Sequence, residues 1–223
     1  MTDISDREKT RYDRQMMISD WGEEGQEKIK DTKAMIAGAG GLGAPVSIYL
    51  AAAGIGELKI VDNDQVELSN LNRQVLYNEG DIGERKAPLA AKSLREINSD
   101  IKIAPVDEKI TEDSIDRLAE DCDIIVDCMD NYSGRYVLNK FVWEKEIPLF
   151  HAAVEGMTGQ ATTIIPSETP CLKCVFPESP PSSKFPVLGA TPGILGSIQA
   201  HEVVKYILGI EDLLKSELLI VKD

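Results

Sequence analysis

Residues 33–62 read KAMIAGAGGLGAPVSIYLAAAGIGELKIVD, and this segment is the most informative about the fold. An apolar run at 33–38 leads into GAGGLG at 38–43, and a segment of helical composition then ends at Gly54 before a second apolar run. A glycine is well suited to the position just after a helix C-terminus. The order of strand, glycine loop, helix and strand therefore predicts a βαβ unit with two parallel strands.

The same alternation continues along the chain. Further strand-like apolar runs lie at 101–106, 123–128, 147–152, 159–166 and 217–223. Helical patterns cover 44–54, 83–98, 111–120 and 191–209. Runs this apolar, separated by helices, indicate a parallel sheet that is covered on both faces. We predict a Rossmann-like, doubly wound α/β fold with a mostly parallel sheet and an antiparallel C-terminal extension.

The length of 223 residues favours one domain, since domains average roughly 150 residues. We expect an N-terminal helical arm at about 5–30, a nucleotide-binding half at about 31–153, and a crossover with a C-terminal part at about 154–223. A proline-rich stretch at 176–186 predicts that the crossover is exposed.

Composition argues against several classes of partner. The chain is 43% hydrophobic and 28% charged, which is ordinary for a globular protein. Its 24 basic and 38 acidic residues give a net charge of −14, which opposes binding to nucleic acid or to anionic lipid. No targeting segment or long apolar span is evident, so we predict a cytoplasmic protein with no membrane and no nucleic-acid partner. Four cysteines are too few for a disulfide scaffold.

The glycine loop predicts a phosphate-binding site. Its glycines let backbone N–H groups approach phosphate oxygens, and the helix that follows adds partial positive charge. Nineteen residues after Gly43, Asp62 ends the second strand, where a carboxylate can accept hydrogen bonds from ribose hydroxyls. A tight structural turn is the alternative, and this evidence does not distinguish NAD from ATP. The candidate residues of the loop are Gly38, Gly40, Gly41 and Gly43.

Polar residues beyond the strand ends favour ATP. Asn70 and Arg73 follow the second strand, Lys86 is near the start of the next helix, and Asp130 is at the end of the strand DIIVDCMD. A site that expels pyrophosphate needs such cations and a carboxylate-held Mg²⁺ to stabilise a polyanionic leaving group, whereas hydride transfer does not. Individually, the cations could be surface charges, Asn70 a turn residue, and Asp130 a helix N-cap.

Taken together, these segments resemble the ThiF/MoeB/HesA family, the prokaryotic relatives of ubiquitin-activating enzymes. The resemblance covers about residues 8–223, and SNLNRQ after an Asp-x-Asp is its most specific part. The motifs that carry it are RYDRQ (11–15), GAGGLG, DNDQVELSNLNRQ (62–74), the Lys86 segment, DCMDN (127–131), CLKCVFPE (171–178) and GILGSIQAHEVVK (193–205).

The resemblance implies an enzyme that binds ATP and Mg²⁺ together with the C-terminal Gly-Gly tail of a small ubiquitin-fold sulfur carrier. The tail carboxylate would attack the α-phosphate, giving an acyl adenylate and pyrophosphate. The glycine loop would hold the nucleotide and Asp62 its ribose, and the phosphates would be contacted by Asn70, Arg73 and Lys86. Asp130 would position Mg²⁺. Arg14 matches an arginine that reaches into a neighbouring subunit's site, which implies a homodimer.

The sequence departs from the family pattern in its cysteines. Family members commonly bind Zn²⁺ through two CxxC pairs, but only Cys171 and Cys174 are present, so zinc is uncertain and the chain is either trimmed or has lost the site. His201, in a helical pattern, is interpreted as a packing or surface residue. Residues 179–189 lack the crossover cysteine that many members carry, and Cys122 and Cys128 flank a buried strand, where thiols behave as small hydrophobes. Sulfur transfer would then depend on another protein or on sulfide.

Three alternatives remain open at this stage. An NAD-dependent oxidoreductase would need an acid or base such as His151, which we place at a strand end. A family relative could adenylate a carboxylate on a modified tRNA base, although the acidity of the chain disfavours this. The third is a non-catalytic subunit or scaffold, but every phosphate-site position is present. The sequence leaves the carrier open among those of molybdopterin synthesis, thiamine synthesis, tRNA thiolation and protein tagging.

Overall fold

The computed structural model describes residues 3–178 and 185–222. The helices are α1 (Asp6–Met16), α2 (Gly22–Asp31), α3 (Gly43–Ala53), α4 (Lys86–Ile97), α5 (Ile115–Leu118), α6 (Tyr132–Lys145), α7 (Leu172–Val175) and α8 (Ala190–Leu208). The strands are β1 (Lys33–Ala37), β2 (Glu57–Val61), β3 (Lys102–Val106), β4 (Ile124–Asp127), β5 (Leu149–Glu155), β6 (Thr158–Ile164) and β7 (Leu219–Val221). Within these ranges, no helix is both long and apolar enough to cross a membrane.

The strands form one seven-stranded sheet in the order β3-β2-β1-β4-β5-β6-β7. Strands β1 to β5 pair in parallel, and β6 and β7 pair antiparallel at the end of the sheet. This confirms the predicted α/β fold with its antiparallel C-terminal extension. The chain runs from β1 outward to β2 and β3 and then crosses back to β4 on the other side of β1. A reversal of strand order of this kind opens a crevice at the carboxyl ends of β1 and β4.

The core lies on both faces of the sheet. Successive residues of β1 point to opposite faces, so Ile36 and Met35 join separate apolar clusters, and both side chains are fully buried. One cluster includes Leu50 of α3, Leu94 of α4 and Leu195 of α8. The other includes Leu118 of α5, Phe141 of α6 and Leu172 of α7. This two-sided burial explains why the parallel strands read as nearly continuous apolar runs.

Two local predictions differ from the structure. The helix expected at 111–120 is limited to the four residues of α5. In the segment before it, the Thr111 N–H donates to Ser114 Oγ at 2.9 Å, and Ser114 Oγ donates to the Lys109 carbonyl at 2.9 Å. These side-chain bonds give the backbone an alternative to helix. His151 lies inside β5 rather than at a strand end, since the strand continues to Glu155.

A close backbone contact explains two glycines of the loop between β1 and α3. Gly38 has a φ of +102°, a conformation that other residues rarely adopt. A Cβ on Gly43 would lie 2.0 Å from the Gly38 carbonyl oxygen, so the start of α3 packs directly on this loop. The two positions together fix the turn by which α3 leaves β1.

We expect Gly43→Ala to lower the free energy of unfolding by about 1–3 kcal/mol, the usual cost of overpacking, because backbone must move to admit the methyl group. The matched control is Gly193→Ala in α8, where a Cβ meets nothing within 4 Å. That change should be neutral or stabilising by up to about 1 kcal/mol. Urea unfolding of both variants makes the comparison, and equal stabilities would contradict the close contact at Gly43.

Candidate active site

The glycine loop presents backbone donors at the carboxyl end of β1. Among residues 3–178 and 185–222, no acceptor binds the N–H groups of Gly40, Gly41 and Leu42, which stand at the start of α3. Such groups and the helix dipole together favour an anion. A Cβ on Gly40 would meet only the Gln74 side chain, at 3.6 Å. Packing therefore does not require glycine there, whereas close approach of a ligand to the backbone would.

Asp62 and Tyr77 hold this loop through Ala39. Asp62 Oδ2 accepts the Ala39 N–H at 2.8 Å, and Tyr77 Oη donates to the Ala39 carbonyl at 2.8 Å. Asp62 Oδ1 accepts the Asp64 N–H, also at 2.8 Å. Burial raises the pKa of the Asp62 carboxyl, and the positive charge of Lys86 opposes that rise. Each carboxylate oxygen retains a lone pair that a ribose hydroxyl could use.

The two candidate cations lie near this loop, Arg73 at Gly41 and Lys86 close to Asp62. Lys86 begins α4 and is only 5% exposed, with its Nζ 3.0 Å from Asp64 Oδ2. A buried ammonium requires such a partner. Arg73 passes beside Gly41, since its Cγ is 3.4 Å from where a Gly41 Cβ would lie. Arg73 Nη1 donates to the Ser69 carbonyl at 2.9 Å and to Asn72 Oδ1 at 3.0 Å, whereas its Nε and Nη2 bind no acceptor among the described residues.

Asn70 has a turn-forming role in the structure. Its buried side-chain oxygen accepts the Glu67 N–H at 3.1 Å, and its carbonyl accepts the N–H groups of Arg73 and Gln74. Asn70 thus shapes the segment that carries Arg73. Its side-chain amide nitrogen has no acceptor in the part of the chain that the structure describes, so it could still donate to a phosphate.

Asp130 lies exposed between β4 and α6. The alternative that it caps α6 is wrong, because Asn131 Oδ1 accepts the Gly134 N–H at 2.8 Å and is the N-cap. The segment that carries Asp130 touches the glycine loop, since a Cβ on Gly38 would lie 2.8 Å from the Cys128 carbonyl oxygen. The structure therefore places the Asp130 segment beside the candidate phosphate site.

Arg14 is not brought to this site within one chain. It is exposed on α1, whose Tyr12 packs against Gly54 and accepts a hydrogen bond from Asn98 Nδ2 at 2.8 Å. Gly54 follows the C-terminus of α3, and the 11 residues of that helix span roughly 16 Å from the glycine loop. Arg14 therefore lies toward the opposite end of the sheet from the other candidates.

A buried polar cluster that was not predicted from the sequence lies behind Asp130. Asp127 Oδ2 is 2.6 Å from His151 Nδ1 and 3.8 Å from Arg135 Nε, and all three residues are buried. Burial would raise the pKa of Asp127, but the Arg135 charge and the His151 hydrogen bond outweigh it, and the pKa lies below its ordinary value. Burial lowers the pKa of His151. This enclosed histidine is unsuited to the acid–base role that an oxidoreductase would require. The only sequence signal for the cluster was an acid and a histidine inside two apolar runs.

The cysteines fall into two groups. Cys171 and Cys174 face each other with their sulfurs 3.4 Å apart. Within the described residues, no group of three or more His, Cys, Asp or Glu side chains could hold a metal, so the four ligands of a zinc site are not assembled there. Cys122 and Cys128 are buried, and burial raises the pKa of both thiols.

Two further predictions concern exposed positions. His201 is exposed on α8, as expected for a surface residue. The crossover predicted at 176–186 is exposed at Pro177 and Glu178, but its residues 179–184 lie outside the described part of the chain.

Comparison with known proteins decides the family. The profile described as "ThiF family" matches residues 12–222, which includes the glycine loop, both cations and Asp130. The chain belongs to the ThiF family. This confirms the resemblance inferred from the motifs and the prediction that the chain is an enzyme of the adenylyltransferase type.

Two named relatives and one solved structure are similar to this chain over most of its length. The SAMP-activating enzyme E1 of Haloferax volcanii is 41% identical over 215 residues, which cover 94% of this chain and 79% of the relative. The adenylyltransferase and sulfurtransferase MOCS3 of Culex quinquefasciatus is 38% identical, and the match covers 99% of this chain but 52% of that protein. The solved structure of E. coli MccB with AMPCPP and SeMet MccA superposes with a TM-score of 0.81 at 26% identity, covering 89% of this chain and 63% of that one.

Proposed function

We propose that this ThiF-family enzyme uses ATP to adenylate the C-terminal Gly-Gly carboxylate of a small ubiquitin-fold sulfur carrier. The observation that carries the proposal is a glycine loop with free N–H groups that has Arg73 beside Gly41 and Lys86 near Asp62, the acid that binds the loop at Ala39. Relatives named as a SAMP-activating E1 and as an adenylyltransferase support it, as does the likeness to MccB with bound AMPCPP.

The proposed reaction joins two anions that repel each other, and positively charged side chains near the site would offset this repulsion. An oxygen of the carrier carboxylate attacks the α-phosphorus of ATP, the bond from that phosphorus to the β-bridging oxygen breaks, and pyrophosphate leaves. In a protein with a net charge of −14, positive charge must be supplied at the reacting atoms. Arg73 and Lys86 would stabilise the phosphates, with Asn70 as a further donor. The loop N–H groups would bind phosphate oxygens, and Asp62 would bind the ribose.

Asp130 fits the requirements of a magnesium ligand. Mg²⁺ is usually held by one or two carboxylates together with substrate phosphates. The Asp130 carboxylate is exposed, and its one hydrogen bond within the described ranges is from Asn131 Nδ2 to Oδ1 at 3.1 Å. When bound, Mg²⁺ would neutralise charge that develops on the departing pyrophosphate. We propose Asp130 as the protein ligand.

A homodimer would bring Arg14 to the site of a neighbouring subunit. Arg14 cannot serve its own site, because α1 lies toward the other end of the sheet. The exposed side chains that follow it, Met17 and Ile18, are large and apolar, with 70% and 51% of their surface exposed. Such side chains are typical of a surface that is covered by a partner.

Subunit mixing tests this arrangement. We expect Arg14→Ala and Arg73→Ala to be inactive alone, whereas an equal mixture regains about one quarter of wild-type exchange, since half the dimers are mixed and each has one intact site. The measurement is pyrophosphate exchange after dissociation and reassociation of the mixed subunits. Arg11→Ala, which loses an exposed arginine on the same helix, is the control and should retain activity. A mixture no more active than its components would contradict the shared site.

Two further parts of the proposed function concern the domain organisation of the chain and the source of sulfur for the carrier. We propose that residues 1–223 act as one adenylation domain, because a single sheet runs through the described ranges. Residues 179–189 contain no cysteine, so the activated carrier would receive sulfur from another protein or from sulfide.

Carrier-dependent ATP–pyrophosphate exchange tests the proposed function. Wild-type protein is incubated with ATP, Mg²⁺, labelled pyrophosphate and one of several purified ubiquitin-fold proteins that end in Gly-Gly. We expect label to enter ATP with at least one of them and not with the same protein lacking its last two residues. Exchange that ignores the tail, or its absence with every carrier, would contradict the proposal.

A further inference from the structure

We propose that Arg135 is a positioning residue that fixes the backbone carrying Asp130, and thereby the affinity of the site for Mg²⁺. The inference rests on the proposed function, in which Asp130 holds the ion. It concerns a residue of α6 that lies behind the site and is only 5% exposed.

The Arg135 guanidinium connects three elements. Its Nε and Nη2 donate to the Met129 carbonyl at 3.2 and 2.5 Å, and Nη2 also donates to the Ala152 carbonyl at 3.1 Å. Met129 immediately precedes Asp130, and Ala152 lies in β5. The tip of one buried side chain thus links the loop after β4 to the neighbouring strand and to α6.

Asp127 completes the clamp from the other side. Asp127 Oδ1 accepts the Met129 N–H at 3.0 Å, so the acid binds the N–H of Met129 and Arg135 binds its carbonyl. Asp127 is itself fixed, because Oδ2 contacts His151 Nδ1 at 2.6 Å and its carbonyl accepts Gln199 Nε2 at 2.9 Å. Both polar groups of the residue before Asp130 are therefore held by a buried ion pair.

The Asp127–Arg135 pair orients backbone groups in addition to filling space in the interior. A buried ion pair is weak evidence for stability, since apolar residues of similar size often serve as well. Apolar side chains could not bind the N–H and carbonyl of Met129. The Asp130 side chain is not fixed by its own contacts, because its carboxylate is exposed and is bonded, in the ranges described, only to the adjacent Asn131 side chain. The direction of the carboxylate therefore depends on the backbone that Arg135 holds.

Calorimetric binding of ATP with and without Mg²⁺ tests the role of Arg135. In Arg135→Lys the charge remains, but a single ammonium cannot reproduce the planar fork that spans both carbonyls. We expect about 10- to 100-fold weaker binding of Mg²⁺ to the ATP complex, the usual cost of losing a residue that orients a metal ligand. The Kd for ATP in EDTA should stay within about twofold, because the hydrogen bonds of the Arg135 guanidinium go to Met129 and Ala152 and none goes to the glycine loop. The control is Arg95→Lys. In the wild type, Arg95 Nη2 donates to the Ile103 carbonyl at 2.6 Å, away from the site, so this variant should change neither value.

Further variants separate the possible failures. If Arg135→Lys does not fold, the neutral pair Asp127→Asn with Arg135→Met removes both charges and should show the same selective loss of Mg²⁺ affinity. Asp130→Asn is the reference for a lost ligand. If Asp130→Asn weakens Mg²⁺ binding and the Arg135 variants do not, the inference about Arg135 fails alone. If Asp130→Asn binds Mg²⁺ as wild type does, or wild type does not bind ATP, the proposed function fails as well. Loss of folding in both Arg135 variants would assign the pair to structure only and would overturn the inference.

Discussion

Arg73→Ala is expected to reduce carrier-dependent ATP–pyrophosphate exchange about 100- to 1000-fold, the cost of removing one preorganised donor from developing charge. Arg73 passes directly beside Gly41, and its Nε and Nη2 bind no acceptor among the described residues. The substitution removes a positive charge that would lie beside the phosphates. The rest of the protein cannot replace it, because the net charge of the protein is −14. Initial rates of exchange at saturating ATP and carrier measure the effect.

The fold should tolerate the loss of Arg73. The described hydrogen bonds of its side chain go to its own turn, at Ser69 and Asn72, so the melting temperature is expected to change little. Arg117→Ala is the matched control, because Arg117 is an exposed arginine of α5 that pairs with Glu108 at 2.6 Å, away from the glycine loop. If exchange by the Arg73 variant equals wild type, or falls only as far as in the control, the assignment of Arg73 is refuted.

Asp127→Ala is expected to lower the free energy of unfolding by about 3–5 kcal/mol, the cost of leaving a buried charge without its partner. The substitution leaves Arg135 without its counter-ion, His151 without the acceptor of Nδ1, and the Met129 N–H unpaired. Urea unfolding followed by circular dichroism measures the change. The effect should greatly exceed that of an ordinary surface pair.

The control for Asp127→Ala is Asp116→Ala. Asp116 pairs with Lys145 at 3.0 Å, but the two side chains are 68% and 49% exposed. Exposed ion pairs contribute at most about 1 kcal/mol, so this variant should unfold close to wild type. Similar losses in the two variants would show that the buried cluster has no special role in stability.

The sheet and the helices α3, α4 and α8 could be predicted from the sequence because their signals are local, whereas α6 was not among the predicted helices. Apolar runs buried on both faces define β1 and β2. Gly54 has a left-handed backbone conformation and ends α3, as expected of a glycine that follows a helix. The helix expected at 111–120 failed because Ser114 bonds to nearby backbone and competes with helix, and periodicity alone does not reveal this choice.

Candidate site residues could be predicted where strand order determines their position. Arg73, Lys86 and Asp130 follow the ends of parallel strands, and those ends meet at one edge of the sheet. The cluster of Asp127, Arg135 and His151 could not be predicted in the same way. Its contacts join β4, β5 and α6 across 8 to 24 residues of chain, and two of its members lie within apolar runs that indicate only burial.

The position at which ATP is cleaved distinguishes adenylation of the carrier from phosphorylation. Wild-type protein is incubated with Mg²⁺, a ubiquitin-fold carrier that supports exchange, and ATP labelled at the α-phosphate, and the nucleotide products are separated. We expect labelled AMP, formed in amounts that depend on the Gly-Gly tail, together with pyrophosphate. Labelled ADP with inorganic phosphate, or ATP left intact with every Gly-Gly carrier tried, would contradict it.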